Sequence, residues 1–96
     1  MHHWHNLVFH GGDGMNSIFR YALSIDQDWQ ENQAIDWDQA ETLVGLLRSI
    51  EAGVVIKLPG VASIIDYAAN AEDWDSGYVA SWPGVVMDDL ASAGLS

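Results

Sequence analysis

The stretch from Ile35 to Leu58 constrains the fold most, because it carries a helix start, a helix face and a helix stop in one short run. Asp36 stands where an N-cap belongs, and Gln39 completes the capping-box spacing. Asp38 and Glu41 put negative charge near the positive end of the helix dipole. Ala40, Leu43, Val44, Leu47 and Ile50 recur at helical spacing and share one face, which Leu46 and Trp37 widen. Gly53 holds the place of a left-handed residue past the helix end. The β-branched run Val54-Val55-Ile56 then reads as a short buried strand, closed by Pro59-Gly60. A central amphipathic helix over residues 37–52, with a strand behind it, is the expectation.

The flanks are read around that helix. From Ser17 to Asp26 two patterns compete. Phe19, Tyr21, Leu23 and Ile25 alternate with smaller or polar residues, as in a half-buried strand. Ile18, Ala22, Ile25 and Trp29 fit a helical face that Asn16 or Ser17 would cap. The alternation favours the strand. After Pro59-Gly60, Val61, Ile64, Ile65, Ala68 and Ala69 predict a second amphipathic helix ending near Trp74, with a hairpin as the alternative. Asp75-Ser76-Gly77 breaks the chain, and Tyr78-Val79-Ala80 follows as a short strand. Ser81 or Trp82 would cap a last helix with Pro83 in its first turn. The expected fold is a small α+β domain: two or three short strands with the central helix packed on one face. An all-α bundle is the alternative.

Residues 1–14 differ from the rest. They hold all four histidines and Leu7-Val8-Phe9, and they end in Gly11-Gly12-Asp13-Gly14. They are expected as a histidine- and glycine-rich extension or edge strand, with residues 15–96 forming one acidic globular domain. Met1-His2-His3 can bind Cu(II) or Ni(II), as any exposed chain with histidine third can. The histidines lack the spacing of a helical zinc site, and no metal site is expected. Asp26-x-Asp28 and Asp73-x-Asp75 begin like calcium loops, but Glu31 and Trp37 stand where the first would need glycine and a carboxylate.

Charge is the strongest bound on function. Fourteen acids against three bases give −11. Residues 21–47 and 58–96 contain no Lys or Arg and hold twelve of the acids. Direct nucleic-acid binding and attachment to an anionic membrane both need basic residues, so both are excluded. No uncharged run approaches the ~18 residues of a membrane span, and nothing resembles a secretory signal. A chain without cysteine has no disulfide framework, which suits the cytoplasm (host cytoplasm if viral). It has no thiol nucleophile either, and its serines lack a nucleophile-elbow context. No catalytic residue and no cofactor are expected.

The dipeptide Asp-Trp recurs at Asp28-Trp29, Asp36-Trp37 and Asp73-Trp74. Helix capping and chance account for it, or it marks a surface that imitates phosphates beside stacked bases. The expected partner-binding residues are Asp26, Asp28, Glu31, Asp38, Glu41, Glu72, Asp73 and Asp75, with Trp29 and Trp74 as apolar anchors. Trp37 is set aside because it borders the expected buried face. The partner is a protein with a basic surface, either a nucleic-acid-binding complex or a toxin. The most concrete reading is a non-catalytic, phage-type inhibitor that blocks the basic nucleic-acid-binding surface of a host defence complex, like a DNA mimic or an anti-CRISPR protein. The alternatives are an antitoxin or immunity protein, a small enzyme, or a soluble domain whose acids serve solubility or a high-salt cytoplasm.

Overall fold

The computed structural model describes residues 12–94, with side chains described from Met15 onward. Helix accounts for 79% of the structure and no strand forms among the described residues, so the α+β expectation is overturned and the all-α bundle is the architecture found. Five helices follow in order: α1 (Gly12–Asn32), α2 (Trp37–Arg48), α3 (Ala52–Val55), α4 (Pro59–Asn70) and α5 (Ser76–Ser92). No helix among the described residues is long and apolar enough to cross a membrane. The expected Leu7-Val8-Phe9 strand and the four histidines lie outside the described residues. Gly12, Asp13 and Gly14, expected in a turn, form the first turn of α1.

Helix α2 begins as its sequence dictates. Asp36 Oδ1 accepts from the backbone N–H of Asp38 at 3.0 Å and of Gln39 at 3.3 Å. Ala40, Leu43, Val44 and Leu47 are buried on one face. The helix ends earlier than expected, at Arg48. Ser49 caps it in a right-handed conformation, its hydroxyl donating to the Gly45 carbonyl at 3.0 Å. Gly53 is therefore not a left-handed cap, and it lies within α3.

The three strand expectations fail for one reason. A strand needs another strand to satisfy its N–H and C=O groups. Residues 17–26 lie in α1, where Ile18, Ala22 and Ile25 are buried and Leu23 is 56% exposed. Burial there follows the helical period and not the alternation. Residues 78–80 lie in α5. Val54-Val55-Ile56, with no pairing strand among the described residues, turns locally: the N–H groups of Val54 and Val55 donate to the Glu51 carbonyl at 2.9 and 3.0 Å.

Helix α5 starts at Asp75, not at Ser81 or Trp82. The Asp75 carboxylate accepts from the Tyr78 N–H at 2.8 Å. Pro83 is consequently interior and buried. Its missing N–H leaves the Val79 carbonyl without its helical donor.

Helix α4 opens on Pro59 at its first position, but Leu58 at its N-cap has no side-chain oxygen. The cap comes from another helix. Asp89 of α5 accepts from the Val61 N–H at 2.8 Å. Gly60 makes this approach possible, because a Cβ there would stand 2.5 Å from Val85 Cγ1 and 3.0 Å from Asp89 Oδ2. Asp89→Ala should therefore lower stability by about 0.5–2 kcal/mol, as loss of an ordinary N-cap does. Urea denaturation checks this, and an unchanged midpoint would show that water caps α4 equally well.

The helices pack around one core. Helix α1 lies on α2 and α5, and α4 lies on the same two helices. The core joins Ile18 and Ile25 of α1, Leu43 and Leu47 of α2, Val61 and Ile64 of α4, and Val79, Trp82, Val86 and Leu90 of α5. The start of α4 meets the end of α5 through Asp89, and Tyr67 near the end of α4 meets Tyr78 at the start of α5. These two helices are antiparallel. The end of α4 therefore lies at the pole of the molecule where α5 begins.

Candidate partner-binding site

A groove of about 480 Å³ opens at that pole, lined by Trp37, Glu41, Glu72, Asp73 and Trp74. One wall is the first turn of α2. Trp37 is its first residue, and Glu41 follows one turn later, where i and i+4 side chains are neighbours. The other wall is the α4–α5 connection, which carries Glu72, Asp73 and Trp74.

That connection is held in place from below. The Trp74 indole N–H donates to the Ala68 carbonyl at 3.3 Å. Its ring stands edge-to-face on Trp82, with centroids 5.3 Å apart. The Asp75 N–H donates to the Tyr67 hydroxyl at 2.9 Å. Tyr67 in turn packs on Tyr78, with ring centroids 4.4 Å apart. The wall thus rests on an aromatic cluster with the buried Trp82 at its base, which anchors Trp74 and Asp75 on either side of the connection's end.

Of the expected binding residues, the groove brings together Glu41, Glu72, Asp73 and Trp74. The remaining six do not line it. Asp38 is exposed on α2, and Asp75 serves as the α5 cap. Asp26, Asp28, Trp29 and Glu31 belong to the last part of α1, where Asp26, Asp28 and Trp29 are half-buried. A connection of only four residues, 33–36, joins α1 to α2, so the end of α1 stays near the start of α2. Gln33 turns the chain there in a left-handed conformation, φ 54°, its side-chain amide donating to the Trp29 carbonyl at 2.8 Å.

Trp37 is the residue that sequence reasoning missed. It is 44% exposed and does not border the buried face. A helical side chain leans toward the N-terminus, so a first-turn residue overhangs the cap and not the stripe behind it. The signal was present in the Asp-Trp repeat, since Asp36-Trp37 and Asp73-Trp74 each supply an indole to the groove.

Three carboxylates and two indoles line the groove, and both kinds of group attract cations. The carboxylates supply charge, and aromatic faces attract ammonium and guanidinium groups. No Lys or Arg lies in residues 21–47 or 58–96, the stretches that build the groove, so neither wall supplies its own counter-charge. Among the described residues no group of three potential ligands is placed to hold a metal ion. The chain matches no protein-family model, no curated protein and no solved structure.

Proposed function

We propose that this protein is a non-catalytic acidic binding protein that docks on the basic surface of a protein partner through the Trp37–Trp74 groove. The observation that carries the reading is the coincidence of two tryptophans with Glu41, Glu72 and Asp73 in one groove. An acidic solubility coat has no reason to gather indoles. A lysine or arginine of the partner enters between them, and arginine suits the site better because its planar, weakly hydrated cation also stacks on aromatic rings. The most concrete form of this function is occupation of a nucleic-acid-binding groove, in which carboxylates stand for phosphates and indoles for bases. The protein would then act as an inhibitor of a basic nucleic-acid-binding complex, such as a host defence nuclease. An antitoxin acting on one small basic enzyme would use the same chemistry.

The partner is captured from bacterial lysate and its affinity measured between about 50 and 500 mM salt, because counter-charge contacts weaken as salt screens them. Affinity should fall across that range. Glu41→Gln/Asp73→Asn should weaken binding mainly through slower association. Trp37→Ala should remove about 2 kcal/mol or more of binding energy, as a hot-spot aromatic does, with the fold intact. Affinity that is flat with salt and indifferent to both variants would rule the groove out. A multi-subunit nuclease as the partner supports the inhibitor, and a single small toxin supports the antitoxin.

A further inference from the structure

The pole that holds the groove carries more aromatic surface than the groove uses. Four large apolar side chains stand exposed among the described residues: Leu23, Trp37, Ile56 and Tyr78. The two aromatic ones both lie at this pole, where α4 ends and α2 and α5 begin. Trp37 lines the groove and Tyr78 does not. Tyr78 stands in the first turn of α5, 39% exposed.

The aromatic cluster ties Tyr78 to the groove. The Trp82 ring lies 5.3 Å from that of Trp74 and 6.3 Å from that of Tyr78. Trp74 and Tyr78 are therefore no farther apart than those two distances laid end to end. Tyr78 is also braced by Tyr67, with ring centroids 4.4 Å apart. A braced aromatic ring gives up little conformational freedom when a partner covers it.

Charge states what this ring can meet. Glu72, Asp73 and Asp75 precede Tyr78, and residues 58–96 contain no Lys or Arg. The Asp75 carboxylate is exposed and accepts from the N–H of Tyr78 itself. Helix dipoles do not oppose a cation here. The negative end of α4 lies near the positive end of α5, which Asp75 also offsets.

We infer that Tyr78 is a second contact for the same basic partner, an inference that rests on the groove being the docking site. One cationic side chain enters between Trp37 and Trp74. A second lies on Tyr78, with the Asp75 carboxylate supplying the charge. The class of partner narrows accordingly. The surface fits a basic segment that presents two cations together, arginine in preference because its planar guanidinium stacks on aromatic rings.

Two blocked peptides test this on the full chain. One is Gly-Arg-Gly-Gly-Gly-Arg-Gly, whose arginines stand about 13 Å apart when extended. The other has glycine in place of the second arginine. Affinities are read by NMR titration at about 50 mM salt, where exposed charges are weakly screened. Tyr78→Ala should weaken the two-arginine peptide by about two- to fivefold, the worth of one exposed cation–π contact, and the one-arginine peptide clearly less. Trp37→Ala should weaken both. Tyr78→Leu keeps an apolar group on Tyr67 but removes the π face, and it decides the matter if the alanine variant fails to fold. Equal losses for the two peptides in the Tyr78 variants, or no loss for either, overturn the second contact and leave the groove reading standing. Indifference of both peptides to Trp37→Ala overturns the groove reading and this inference with it. So does the absence of binding by either peptide up to about 10 mM.

Discussion

Trp82→Ala should destabilise the protein by about 3–5 kcal/mol, the range for removing a buried tryptophan. Trp82 is completely buried and is among the largest side chains of the core. Its ring lies 5.3 Å from that of Trp74 and 6.3 Å from those of Tyr67 and Tyr78, edge-to-face in each case. Truncation leaves a void under all three. A domain of this size has about 5–15 kcal/mol in total, so the loss is a large fraction of its stability. The indole N–H of Trp82 meets no acceptor among the described residues. Trp82→Phe deletes that unsatisfied donor while keeping a ring, and should cost clearly less than the alanine variant. Guanidinium denaturation of the two variants separates packing from hydrogen bonding. A loss below about 1 kcal/mol for Trp82→Ala would mean that the aromatic layer is not part of the cooperative core. The same variant should weaken partner binding under conditions where it remains folded, because Trp74 stands on Trp82.

Leu47→Ala should cost about 2–5 kcal/mol. Leu47 is buried in the middle of the α2 stripe and belongs to the cluster that unites α1, α2, α4 and α5. Leu23 is the informative control. A strand over residues 19–25 would aim Leu23 into the core with its alternate neighbours, whereas on α1 it is exposed. Leu23→Ala should therefore stay within about 0.5 kcal/mol of the parent, as surface substitutions do. Equal losses in the two variants would return residues 19–25 to the strand reading.

The legibility of the fold varied with how much each segment decides locally. Helix α2 was readable because cap, charge and stripe agree, and all of these are local. Only its end was misplaced, since Ser49 closes the helix without the glycine that Gly53 seemed to offer. The segment Val54-Val55-Ile56 was not readable. Its side chains suit a strand, yet a strand is a property of two segments, and among the described residues no second one forms. In α1, alternation and helical period fit the same residues, and packing against α2 and α5 chooses between them. Pro83 misled because proline favours a first turn, but the Asp75 carboxylate had already started the helix earlier. At the groove, charge identified Glu41, Glu72 and Asp73, and composition identified Trp74. Neither could show that Asp26 and Asp28 would be half-buried on α1, or that Trp37 would stand exposed at the groove.

The two walls of the groove come from residues 37–41 and 72–74, which are remote in sequence and meet only when the bundle has closed. The unfolded chain has no such site. Any partner that fills the groove is thus also a folding ligand. At a concentration one hundred times its dissociation constant it adds about 2.7 kcal/mol to the folded state. That is comparable to the smaller losses expected from Leu47→Ala. A destabilised variant can therefore look intact in a cell that supplies the partner and be degraded in one that does not. Protease resistance with and without partner, compared between parent and Leu47→Ala, would expose that dependence.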